Sequence, residues 1–170
     1  MTEEKISVEE AKEQIILMAN RIAMLYHYVG EVLEENFGEE KAGELLKDAV
    51  MRYGSEIGEQ VREKVQEKGL PLTLENYSKG EDLPDLVWDS TTVKEGDKEL
   101  VRVDYCPLAS VWLTRGNQKL ARFYCFVDQA KFASYNGITC KHLKNMLDGD
   151  EMCLFDFEEK KTREGDSGNE

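Results

Sequence analysis

The chain has 170 residues, with 22 Lys and Arg against 35 Asp and Glu, a formal net charge of −13. A surface of that sign excludes the concentrated basic patch that nucleic acids need, and disfavours an anionic membrane surface for the same reason. Hydrophobic residues at 41% and charged residues at 34% predict one water-facing domain large enough to bury a core, and no apolar run approaches the length of a bilayer span.

The start, Met1-Thr2-Glu3-Glu4-Lys5, is acidic and has no secretory pattern, so a cytoplasmic address with reduced thiols is expected. The four cysteines show no CxxC spacing that would announce a zinc site.

Ser7-Val8-Glu9-Glu10 has the form of a capping box, and apolar residues then recur at Ala11, Ile15, Met18, Ile22, Leu25, Val29 and Val32. This predicts one long amphipathic helix ending near Phe37-Gly38. A second helix is expected from Glu39 to Lys68, with Leu45, Leu46, Ala49, Tyr53, Ile57, Val61 and Val65 in one stripe, stopped by Gly69 and Pro71. Gly54 and Gly58 inside it read as a place of close packing. The short connection makes the two an antiparallel hairpin over residues 1–70.

Thr73 caps a short turn through Tyr77, and Lys79 to Pro84 read as loop. Leu86 to Val93 and Glu99 to Tyr105 are strand-like, with Val101, Val103 and Tyr105 on one face. Helices follow over Pro107 to Thr114 and Gln118 to Ser134. A second hairpin pairs Ile138 to Leu147 with Met152 to Glu158 and turns Cys153, Phe155 and Phe157 toward the core. The fold class is α+β in the order α-α-β-β-α-α-β-β, with both hairpins in one antiparallel sheet and helices between them. Residues 1–158 make a single domain, 71–158 being its sheet-and-helix part, and the polar tail 159–170 is expected to be disordered.

Cys106 precedes Pro107 at a helix start, where unpaired N–H groups and the helix dipole favour thiolate over thiol. That predicts a depressed pKa and faster alkylation than at Cys125, Cys140 or Cys153. The same residue would serve equally as a small buried hydrophobe. Cys125 and Asp128 are three apart on a helix and share a face with Ala121 and Phe132. His142 and Lys144 alternate along a strand and would project from one face, the histidine to carry a proton and the lysine to anchor a carboxylate. Trp112, Tyr124 and Asn136 are candidate pocket residues. No cofactor is expected; a thiolate-bound metal would use Cys106, Cys125 and Cys153.

The string Cys106-Pro107-Leu108-Ala109-Ser110-Val111-Trp112, then Tyr124-Cys125 with Asp128, Tyr135-Asn136, and Gly149-Asp150 leading to Cys153 and Phe155, resembles the L-2-amino-thiazoline-4-carboxylic acid hydrolase family. Arg52-Tyr53-Gly54, Ile57-Gly58, Leu74-Glu75-Asn76-Tyr77 and Asp82-Leu83-Pro84 agree, so the resemblance spans about Leu46 to Phe157. Phe126 and His142 stand where an acidic residue and an arginine are usual.

The resemblance implies a small hydrolase acting on a non-peptide carbon–nitrogen bond of a cyclic amidine, such as opening of 2-aminothiazoline-4-carboxylate to carbamoyl-cysteine. Catalytic candidates are then Cys106, Cys125, Asp128 and His142, with Lys144, Trp112, Tyr124 and Asn136 binding a small carboxylate-bearing molecule. Oligomeric state is open. Two other classes fit the layout: a small-molecule sensing module similar to the 4-vinyl reductase domain, and a cysteine-based metal or cofactor accessory protein.

Overall fold

The computed structural model describes residues 5–159, and the predicted disordered tail falls almost wholly outside them. Helix α1 (Val8–Phe37) opens with the expected capping box: Ser7 accepts from the Glu10 backbone N–H while the Glu10 carboxylate accepts from Ser7. Gly38, at φ 79°, reverses the chain into α2 (Glu39–Glu67). A residue with a Cβ strains at that φ, and glycine does not. The pair is antiparallel: Gly30 meets the Leu46 side chain at equal distance from the turn, and Tyr26 and Leu33 pack on Ala42 and Leu46.

Thr73 accepts from the Asn76 N–H, starting a turn that continues as a 3-10 segment over Tyr77–Gly80. Leu86 and Val87 lie in a second 3-10 segment, so strand β1 (Asp89–Glu95) starts later than the apolar run suggests. It pairs with β2 (Lys98–Tyr105). Then come α3 (Pro107–Arg115), the short α4 (Gln118–Ala121) and α5 (Phe126–Asn136). The predicted single helix from Gln118 to Ser134 is therefore broken. A 3-10 turn over Arg122–Cys125 tightens the winding and turns the chain into α5.

Strands β3 (Thr139–Lys144) and β4 (Cys153–Glu158) complete an antiparallel sheet in the order β1-β2-β4-β3. Both hairpins thus belong to one sheet, joined through β2 and β4 with Val103 opposite Cys153. Cys153, Phe155 and Phe157 face the helices, as their alternation predicts.

Helix α2 packs along α5 at very short range. A Cβ on Gly54 would stand 2.7 Å from the Val127 carbonyl oxygen, and one on Gly58 would collide with the Lys131 carbonyl. The four-residue glycine spacing is what lets the two backbones touch. Helix α1 departs from the simple amphipathic picture. Its buried positions are Ala19, Ala23, His27 and Gly30, whereas Met18, Ile22, Leu25, Val29 and Val32 stand exposed. Small residues and glycine, not the large apolar stripe, face the core.

Candidate functional site

The site forms where α5, β3 and the connection from β3 to β4 meet. On α5, Asp128 and Lys131 are one turn apart and pair at 3.3 Å. Lys131 also pairs with Asp82 at 3.0 Å, and Asp82 accepts from the Tyr77 hydroxyl at 2.8 Å. On the other side Asp128 faces Nε2 of His142 at 3.6 Å. The result is a continuous polar chain, Asp82, Lys131, Asp128, His142, threaded between helix and sheet.

His142 is tethered from behind. Asn145 accepts from the Leu147 N–H through Oδ1 at 2.9 Å, which leaves its Nδ2 to donate to Nδ1 of His142 at 3.3 Å. An imidazole accepting at Nδ1 carries its proton on Nε2, facing Asp128. Phe155 lies edge-on to the ring at 4.5 Å, and the His142 side chain is only 3% exposed against 26% for Asp128. Solvent therefore reaches the carboxylate before the imidazole.

The Gly149-Asp150 motif is explained by this tether. Asp150 accepts from the Asn145 backbone N–H at 2.8 Å, Gly149 adopts φ 98°, and the Cys153 sulfur accepts from the Met146 N–H at 3.5 Å. The motif fixes a loop whose task is to hold Asn145.

Burial opposes ionisation of Asp128, but the Lys131 ammonium and His142 outweigh it and hold the carboxyl below its ordinary range. Asp82 is likewise held low, with Lys131 overcoming burial. Burial also works against the Lys131 charge, yet Asp128 and Asp82 together raise its pKa.

The cysteines behave differently. Cys106 caps α3 without a side-chain hydrogen bond to the helix, while its thiol meets the N–H groups of Leu108 and Ala109 and the Trp88 side chain. Those donors favour thiolate as the sequence suggests. Burial, with Asp128 nearby, wins and pushes the Cys106 thiol up, so the expected depression is overturned. Cys125 is pushed up to about 12 by burial, although the Asn145 side chain reaches it. Burial raises Cys153 and Cys140 as well.

Cys106, Cys125 and Cys153 all pack into the apolar cluster around Trp112 and Leu147. They share a neighbourhood without forming a ligand set: among the described residues, no three His, Cys, Asp or Glu side chains are placed to hold a metal ion.

Several predicted residues fall elsewhere. Lys144 does not share a face with His142, because a bulge at Leu143 shifts the register so that His142 lies opposite Phe155 while Lys144 lies opposite Leu154. Lys144 is exposed and outside the cluster. Asn136 is exposed at the end of α5 and donates to the Leu72 carbonyl, tying the helix to the preceding loop. Trp112, 1% exposed, donates to the Ala23 carbonyl at 2.9 Å and is a core residue. Tyr124 packs against Tyr26 and Trp112, with its hydroxyl beside Tyr53.

Sequence reasoning missed Asn145, Lys131 and Asp82. The spacing of Lys131 from Asp128 and the Asp82-Leu83-Pro84 motif were available signals; nothing local marks Asn145. Beside Asp82, a groove of about 380 Å³ opens between α2 and Gly80–Leu83, lined also by Tyr53, Gln60 and Lys64. That volume suits a small ligand.

Fold and site together define an α+β protein with a carboxylate, imidazole and thiol cluster buried between its sheet and a central helix. The chain belongs to the L-2-amino-thiazoline-4-carboxylic acid hydrolase family, whose model matches residues 18–157. No curated protein matches the chain significantly in sequence. Among solved structures, the fold is similar to that of a trafficking protein particle complex subunit 3 from Naegleria fowleri, described as covalently bound to palmitic acid. The two share 12% identity at a TM-score of 0.54, over 85% of this chain and 96% of that one. No helix among the described residues is long and apolar enough to cross a membrane.

Proposed function

We propose that the protein is a hydrolase of a small, carboxylate-bearing cyclic amidine, with 2-aminothiazoline-4-carboxylate as the model substrate. The observation that carries this reading, beside family membership, is the Asp128 carboxylate. It is kept ionised by Lys131, faces His142, and is the most exposed member of the chain, at 26% against 19% for Lys131 and 16% for Asp82.

In this reading Asp128 takes a proton from water as its oxygen adds to the amidine carbon, and the ring nitrogen is protonated as the C=N bond becomes single. Collapse of the adduct to a carbonyl breaks the carbon–sulfur bond; the sulfur leaves with a proton and an N-carbamoyl thiol results. Asp128 hands the proton it took to the ring nitrogen and then relays the hydroxyl proton of the adduct to the sulfur, while His142 steadies the carboxylate. Cys106 acts as a neutral thiol here, since a raised pKa leaves little thiolate at neutral pH and makes attack by sulfur slow. The groove beside Asp82 admits the substrate, whose carboxylate would compete with Glu67, 2.8 Å from the Lys64 ammonium, for the cation on the rim.

A second reading is a binding or sensing module that does not turn its ligand over. It is favoured by Asn145 occupying Nδ1 of His142 and by thiols that are protonated at neutral pH.

Incubation with 2-aminothiazoline-4-carboxylate, with thiol release followed by a chromogenic disulfide, separates the two. Release that falls at least about a hundredfold in Asp128→Asn supports hydrolysis, within the range expected for a general base. Calorimetric binding without thiol release supports the module, and neither binding nor release removes this substrate class.

A further inference from the structure

We propose that α1 is a dimerisation helix, which pairs with α1 of a second copy of this chain as a parallel, in-register coiled coil. The apolar stripe left outside the core has strict heptad spacing, alternating steps of three and four residues from Val8 to Val32. The a positions are Val8, Ile15, Ile22 and Val29, all β-branched; the d positions are Ala11, Met18, Leu25 and Val32. A 3.5-residue repeat keeps a seam facing one partner helix over roughly 36 Å of rise.

Among the described residues most of this seam is left uncovered, with Ala11 and Ile15 half-buried. Val8 is 61% exposed, Met18 64% and Leu25 68%, while the core side of the same helix is furnished by Ala19, Ala23, His27 and Gly30. The seam and the core side lie on adjacent flanks, so a second helix can dock without displacing the domain. Val8, Met18, Ile22, Leu25, Val29 and Val32, with Tyr28 beside them, form one exposed apolar strip along the helix, the kind of contiguous patch that marks an interaction surface.

The occupant is a second copy for three reasons. β-branched residues at every a, with Leu25 at one d, favour two parallel strands, and a parallel homodimer sets each a against its own equivalent, which makes the seam self-complementary. Residues 160–170 contain no apolar side chain to offer the seam. A lipid surface fits poorly. Interfacial helices carry Lys and Arg on the polar side, whereas α1 carries Glu9, Glu10, Glu13, Glu31, Glu34 and Glu35 against Lys12 and Arg21.

Sedimentation velocity of the full chain tests this directly. The expected result is twice the 19.5 kDa monomer mass at micromolar concentration. Met18→Glu and Leu25→Glu, both at exposed sites, should keep the circular dichroism spectrum and weaken self-association by about a hundredfold or more, through four buried like charges. In Leu25→Cys the new thiols of a parallel pair meet each other, so mild oxidation should give a disulfide-linked dimer. A wild type that stays monomeric, a dimer that survives both glutamates, or a dimer that Leu25→Cys does not cross-link overturns the proposal. Monomeric protein that sediments with zwitterionic vesicles through the same residues would put lipid on the seam and overturn it as well.

Discussion

Asn145 donates from Nδ2 to Nδ1 of His142 at 3.3 Å, and its own Oδ1 is held by the Leu147 N–H, so one side chain sets the tautomer of the buried imidazole. Replacing Asn145 by Asp exchanges that donor for an acceptor. The expected outcome is a ring that carries its proton on Nδ1 and donates it to the new carboxylate. Imidazole nitrogen chemical shifts would show the change of tautomer; shifts unchanged in Asn145→Asp would mean that the contact does not govern the ring.

Lys131 is the one cation between Asp82 and Asp128 in this polar chain. Lys131→Met keeps the volume of the side chain and leaves two carboxylates facing each other in a largely buried space. Breaking such a pair on one side costs about 3 to 5 kcal/mol when burial is complete, and the partial exposure of Asp128 places the expected loss near the lower end. Urea unfolding measures it. A loss under about 1 kcal/mol would mark the chain as no stronger than a surface ion pair.

The same groups give the pH dependence. Asp82 and Asp128 have depressed values in the folded state, so their contribution is present above the unfolded carboxyl pKa of about 3.9 and is lost as pH falls through the lower folded values. Lys131 has a raised value, so its contribution is present below about 10.4 and is lost as pH rises through its folded value. Stability should therefore be nearly level between those limits and fall on the acid side. In Lys131→Met the acid-side fall should shrink, because the carboxylates lose the cation that lowered them.

The general fold was legible in the sequence because its signals are periodic and local: the capping box at Ser7, the glycine stop after Phe37, and the alternation through Val101, Val103 and Tyr105. What escaped depends on single-residue geometry. The bulge at Leu143 moves Lys144 to the other face of β3, and no residue preference announces it. Alternation alone had placed Lys144 beside His142. Helix α1 escaped for another reason. Period identifies an apolar stripe but not which face the rest of the chain will cover, and here the small residues Ala19 and Ala23 allow closer packing than the stripe does. Cys106 shows a third limit, since the helix-start donors were correctly foreseen while burial, which outweighs them, is a tertiary property.

Thiol reactivity follows from that last point. All four cysteines are raised by burial, so alkylation of the native protein at neutral pH should be at least about tenfold slower than in urea. Cys106 and Cys125, being only partly buried, should be labelled before Cys140 and Cys153. Mass-spectrometric labelling in which Cys106 reacts as fast in the native state as in urea would restore it as an activated nucleophile.

Gly58→Ala tests whether the contact of α2 with α5 places the site. The added Cβ would collide with the Lys131 carbonyl, a backbone atom that cannot rotate away, so α5 must shift outward. Overpacking of this kind costs about 1 to 3 kcal/mol, and the shift carries Lys131 and Asp128 with it, loosening the approach of Asp128 to His142. Gly69→Ala provides the comparison, since a Cβ there meets nothing, although its φ of 69° makes the substitution mildly strained. The expected pattern is a stability loss in both variants and altered His142 imidazole chemical shifts in Gly58→Ala alone. Unaltered imidazole shifts in a destabilised Gly58→Ala would show that the glycine contact supports the fold without positioning the carboxylate.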